Sequence, residues 1–209
     1  MKSNYHNVKR YAILMLIGVV LNLGLYQIAH IFHLPMWIDN VGTAYVAMVL
    51  EPAAGLLVAF ATNFYQATFV YDSSSLIYYA VSASCALCVG IIMRKQGKLC
   101  WKRLGFALLA YLVVSSLLST ALTLWRTAGL PDSSWECYFY EFGLSWGWPV
   151  PLACLLGIGT LKLIDNLVML LLLPILYFIT PKKFINEENT QIVSWKHPFF
   201  HREHEEVEE

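Results

Sequence analysis

Residues 11–32 form an unbroken apolar run of about 22 residues holding no Asp, Glu, Lys or Arg. At a rise of about 1.5 Å per residue, that length matches a bilayer's hydrocarbon core when the chain is helical. The run exceeds a signal-peptide core and lacks a small-residue cleavage pattern, so it is expected to be a retained helix. The whole chain follows suit: 58% of residues are hydrophobic and only 13% are charged. That balance belongs to integral membrane proteins. The formal net charge is zero, and no interleaving of basic and aromatic residues suggests nucleic acid, so that class is set aside. Five cysteines in no spaced framework give no disulfide scaffold.

The apolar runs predict an all-α membrane protein with six helices at about 10–32, 39–50, 52–70, 74–94, 103–127 and 153–180. Lys2, Lys9 and Arg10, then Arg94, Lys95, Lys98, Lys102 and Arg103, then Lys182 and Lys183 all fall on one side of such a path. The positive-inside rule makes that side cytoplasmic, with both termini inside, and leaves Arg126 as the one clear basic residue of the outer connections. Residues 1–183 form the expected membrane domain. Residues 184–209 form a polar tail ending in Glu203, Glu205, Glu206, Glu208 and Glu209, a pattern of solvated termini that is assigned no function.

Residues 38–63 depart from ordinary spans. Two short apolar runs are separated by Glu51-Pro52, and Asp39 opens the first. Ionisable groups at membrane depth cost free energy unless they face a cavity or the interface, so function is expected here. The topology puts Asp39 and Asn63 at the outer level and Glu51 at the cytoplasmic turn, as an interfacial or partner-contacting residue rather than a ligand group.

The outer connection from Gly129 to Leu152 is expected to be a long loop. Seven of its fourteen positions from Trp135 to Trp148 are aromatic. Two readings stand: an aromatic belt at the interface, or a wall or lid that stacks on a flat organic ligand, helped by Asp132, Glu136 and Glu141.

No GxxxxGK[ST] is present, so any ATP-driven role needs a partner. Cys85 and Cys88 form a CxxC inside an apolar helix without a second ligand pair and are expected to be inert core thiols. His30 and His33 lie three apart without a third ligand, which favours interfacial packing. Lys162 and Asp165, at i and i+3 on the last helix, are expected to neutralise each other as a structural ion pair. No hydrolytic or protease constellation can be assembled, so the chain is expected to be a non-enzyme with no cofactor and no metal. Small residues recur at packing distance, Gly55 and Ala59 in one helix and Ser82, Ala86 and Gly90 in the next.

The run WIDNVGTAYVAMVLEPAAGLLVAFATN at residues 37–63 is similar to a pattern in the substrate-binding S components of energy-coupling factor (ECF) vitamin transporters. That pattern is an acid, two residues, Gly-Thr, a short helix, then a Pro-started small-residue helix ending in Asn. The last span, LKLIDNLVMLLLLPILYFI, also looks like the closing helix of such subunits, and the two stretches together cover about a fifth of the chain. The resemblance implies a six-helix subunit of a bacterial plasma membrane that captures a vitamin at its outer face. It would then associate with a transmembrane coupling subunit and two cytosolic ATPases and topple in the bilayer. Family members often dock through an AxxxA-like motif in the first helix; Gly18, Asn22 and Gly24 are the comparable residues here.

On this basis Trp37, Asp39, Asn40, Asn63, Tyr71, Asp72, Trp135, Tyr138, Tyr140, Trp146 and Trp148 are expected to line or close the substrate site. Cobalamin is the first expectation for the cargo, and riboflavin or another vitamin would be served by the same residues. A membrane sensor or scaffold module is the alternative from another class, disfavoured because no output domain follows Lys183. A stand-alone carrier with internal repeats is a third, and no repeat is visible.

Overall fold

The computed structural model describes residues 2–93 and 100–181, with side chains from residue 9 onward. The elements are α1 (Lys2–Ile31), α2 (Val41–Val49), α3 (Pro52–Phe69), a 3-10 turn (Ser73–Tyr78) leading into α4 (Tyr79–Ile92), α5 (Trp101–Thr127), α6 (Ser134–Ser145) and α7 (Val150–Ile179). No strand occurs among the described residues. The expected anchors Arg94, Lys95, Lys98, Lys182 and Lys183 and the tail 184–209 lie outside those residues, as does the side chain of Lys2.

Four stretches are long and apolar enough to cross a membrane: Lys9–Ile31, Ser73–Ile92, Trp101–Thr127 and Val150–Ile179. Their outward faces carry large apolar side chains such as Leu16, Leu109 and Leu171, each more than half exposed. Apolar surface on this scale is stable against lipid and not against water, so the chain is a helical membrane protein. The remaining two expected spans are of another kind. α2 has nine residues, about 13 Å of helix, less than half a hydrocarbon core. α3, with 18 residues, carries Asn63, Gln66 and other polar groups that keep it out of the apolar set.

The short α2 is the centre of the molecule. All nine of its residues are buried, as a helix apolar on every side must be, and α1, α3, α4 and α7 pack around it. Small residues permit the close approaches. A Cβ on Gly42 would run into the Gly18 carbonyl, so α1 and α2 meet backbone to backbone. A Cβ on Gly55 would lie 2.6 Å from the Ala47 Cβ and 3.0 Å from the Ala86 Cβ, and one on Gly90 2.7 Å from Pro52 Cγ. The small-residue stripes of α3 and α4 are thus used within the chain. Pro52 opens α3 at its first turn, where a missing N–H costs nothing, so Glu51-Pro52 makes the tight reversal from α2.

Burying the start of α2 creates a debt of unsatisfied N–H groups. Asn40 stands at its N-cap but makes no side-chain cap bond. Asn22, wholly buried on α1, supplies the cap from the neighbouring helix. Its Oδ1 accepts from the backbone N–H of Gly42 at 2.6 Å and of Thr43 at 3.4 Å, and its Nδ2 donates to Thr43 Oγ1 and Thr62 Oγ1. One side chain therefore ties α1, α2 and α3 together. Gly18 and Asn22 face inward, and of the three residues compared with a docking motif only Gly24 is exposed.

The connection expected as a loop at residues 129–152 contains α6, and the final helix begins at Val150 rather than 153. Glu136, Tyr140 and Gly143 form the inward stripe of α6, at the i, i+4, i+7 spacing of an amphipathic helix. A Cβ on Gly157 of α7 would lie 2.5 Å from the Glu136 carbonyl oxygen, so the two helices are in backbone contact.

Replacing Asn22 by Ala leaves the two N–H groups of α2 and two threonine hydroxyls short of a partner, with an expected loss on the order of 1–3 kcal/mol. Melting of the detergent-solubilised protein should fall accordingly, and Gly42→Ala should lower it too, by forcing α1 away from α2.

Candidate functional site

One end of the bundle forms a part-open cavity of about 370 Å³. Its wall comes from the connection before α2, from α3 and α4 with the segment joining them, and from α5, α6 and α7. Six of the residues expected from the sequence line it: Trp37, Asp39, Asn40, Asn63, Tyr71 and Asp72.

The 32–40 connection is held in an unfavourable conformation. Ile38 has φ of +47°, a region a β-branched residue rarely enters. Asp165 of α7 stabilises it: its Oδ1 accepts from the Trp37 N–H at 2.9 Å and from the Ile38 N–H at 3.3 Å. Asp165 is therefore engaged with backbone. No ion pair between it and Lys162 exists among the described residues, which corrects the expected i, i+3 pair. Lys162 instead lines the cavity, with only 8% of its surface exposed.

Trp37 is fixed on three sides. Its indole Nε1 donates to Glu136 Oε1 at 3.1 Å, its ring stacks parallel to Tyr26, and Tyr71 meets it edge-on with ring centroids 6.4 Å apart. The Tyr26 and Tyr71 hydroxyls are hydrogen-bonded to each other. Burial, with that bond, pushes the Tyr71 phenol far up and keeps it neutral. Asn63 bridges α3 and α4 by donating to the Ala59 carbonyl and to Ser82 Oγ, both at 2.9 Å.

Arg126, at the end of α5, closes one side. Its guanidinium donates to Asp72 Oδ2 at 2.9 Å, to Asp132 Oδ2 at 2.8 Å and to Ser74 Oγ at 3.0 Å, and lies 5.8 Å from the centre of the Tyr78 ring. The other Asp72 oxygen caps the 3-10 turn by accepting from the Ser74 N–H at 2.8 Å. Those Ser74 bonds, with Arg126, hold the Asp72 carboxyl below its ordinary range.

The aromatic segment contributes differently from the expected wall. Trp135, Tyr138, Tyr140, Trp146 and Trp148 do not line the cavity. Trp135, Tyr138, Trp146 and Trp148 are exposed on the outside of α6 and its turn, while Tyr140 packs in a small cluster with Ala153, Cys154 and Ile158. Trp135 donates its indole N–H to the His33 carbonyl at 3.0 Å. From this helix the cavity takes Glu136 alone. Other lining groups escaped sequence reasoning: Gln66 of α3, Ser119 and Thr123 of α5, and Ser75 and Tyr78 of the 3-10 turn. A signal was present, since Ser119, Thr123 and Arg126 repeat at helical spacing on an otherwise apolar span, and polar groups in such spans face interiors. The thiols Cys85 and Cys88 are free, and His30 stacks on Tyr26.

The result is a polar, aromatic-edged chamber suited to holding a small organic molecule through several hydrogen bonds at once. Comparison with known family models, curated proteins and solved structures finds no match to this chain.

Burial raises the Glu136 pKa, opposed by the Trp37 bond and by Lys162. A carboxyl with a raised native pKa makes the folded state the better proton binder, so its contribution to stability declines as pH rises through that range. Glu136→Gln keeps an oxygen for Trp37 and cannot ionise. Its melting temperature should gain on the wild type from about pH 4 to pH 7, whereas Glu136→Ala should lose stability throughout. A constant gap between Gln variant and wild type across that range would contradict this.

Proposed function

We propose that the chain is the vitamin-capturing subunit of an ECF-type importer in a bacterial plasma membrane. The observation that carries this reading is the part-open cavity, edged by polar and aromatic side chains, at one end of a bundle whose helices are long and apolar enough to cross a membrane. Asp39, Asn40 and Asn63, from the stretch that resembles the S components, contribute to its wall. In this reading both termini lie in the cytoplasm, the cavity opens outward, and α1, α2, α3, α4, α5 and α7 correspond to the six helices of the family, with α6 as an added helix of the outer connection. A coupling subunit and two ATPases supply the energy, and the chain itself catalyses nothing.

A volume of about 370 Å³ sits at the lower end of small-molecule pockets, which span roughly 300–1,000 Å³. It favours a cargo of riboflavin size or smaller over cobalamin, whose corrin ring and appended nucleotide exceed it. Trp37, Tyr71 and Tyr78 offer ring faces and edges to such a cargo.

Calorimetric titration of the purified protein in detergent with riboflavin, cobalamin and other vitamins should give saturable heat with a compound of riboflavin size or below. Asp39→Asn should weaken that binding by about tenfold, the scale of one charge-assisted hydrogen bond. Silence with every vitamin would end the capture reading. Purification from the native membrane should also bring down a coupling protein and two ATPases; their absence would favour a sensor or scaffold.

A further inference from the structure

Charge partners around the cavity can be matched one by one. Asp72 and Asp132 share the Arg126 guanidinium. Glu136 accepts from the Trp37 indole at 3.1 Å. Asp39 accepts from the Asn40 amide at 2.7 Å, and Asp165, just behind the wall, accepts two backbone N–H groups. Lys162 is the exception. Its side chain lines the cavity, the residue is 8% exposed, and among the described residues no carboxylate lies within ion-pair distance and no acceptor within hydrogen-bond distance of its ammonium. A lysine that faces a cavity and holds no hydrogen-bond partner there presents its ammonium donors to whatever occupies that cavity.

We propose that Lys162 is the specificity-determining residue of the cavity and that the cargo carries one oxyanion, a carboxylate or a phosphate ester, which pairs with it. The inference rests on the capture reading and adds the chemical class of cargo. Lys162 is the one lysine among the lining residues, and the Arg126 guanidinium is already shared by Asp72 and Asp132, so the cavity offers a single cation for such a group. The rest of the molecule lies against Trp37 and Tyr71. The anchor stands at the centre of α7, one turn from Asn166, whose amide donates to the Lys162 carbonyl at 2.8 Å, so its backbone is fixed before any cargo arrives.

The test uses matched pairs that differ in the acid alone: biotin and biotinamide, pantothenate and pantothenol, nicotinate and nicotinamide, riboflavin 5′-phosphate and riboflavin. Each is titrated by calorimetry into the full chain in detergent. In whichever pair binds, the acidic member should bind at least tenfold tighter. Lys162→Gln should bring it to the level of its neutral partner, and Lys162→Arg should restore most of the difference. Without cargo, Lys162→Gln should melt close to the wild-type temperature, since no direct hydrogen bond or ion pair is lost; a marked fall would assign Lys162 a structural role and overturn the proposal. Binding with no preference for the acid, or a preference that survives Lys162→Gln, would overturn it and leave the capture reading standing. Heat from no compound would remove both.

Discussion

A helix that starts inside a membrane protein must have its first N–H groups satisfied without water, and this requirement organises the fold. The N-terminus of α2 is buried between its neighbours, and Asn22, reaching from α1, accepts from Gly42 and Thr43. Once that end is satisfied, a nine-residue helix can lie wholly inside the bundle, and beyond its start the residues Trp37, Asp39 and Asn40 and the longer helices wall in a cavity. The cavity therefore follows from the brevity of α2. Asp39 and Asn40 stand at its rim because they are the residues before a helix that begins below the surface.

The sequence reveals the membrane class and most helices through run length alone, because apolar length is the one property a bilayer enforces directly. It also singles out residues 38–63, through a carboxylate and an amide at the ends of runs too short to span, and three residues of that segment, Asp39, Asn40 and Asn63, line the cavity. α6 was hidden because the aromatic residues of its exposed face, Trp135, Tyr138 and Phe142, mask the narrow stripe of Glu136, Tyr140 and Gly143. The place of Lys162 in the cavity wall was hidden for another reason. Spacing on one helix pairs it with Asp165, and only the three-dimensional path of the 32–40 connection shows that carboxylate already engaged by Trp37 and Ile38. Charges three residues apart can be partners, but a distant backbone N–H competes for the same oxygen and is invisible to spacing.

The cavity owes its shape to strain placed where it is needed. Ile38 holds positive φ between Trp37 and Asp39, and both of these neighbours contribute to the wall. The two bonds to Asp165 offset that strain, which ties α7 to the geometry of a segment more than a hundred residues earlier.

Arg126 joins the segment after α3 to the segment after α5 through carboxylates that are about half exposed, with side-chain accessibilities of 58% for Asp72 and 47% for Asp132 against 20% for Arg126. Half-exposed charges feel dissolved ions, whose screening length is about 8 Å at physiological ionic strength. The fastening across this side of the chamber is thus tied to the medium outside: dilute surroundings hold the two segments together more firmly, and saline ones let them part more often. The fastening at Arg126 is thereby sensitive to the salinity of the medium, while the apolar packing around α2 stays indifferent to it.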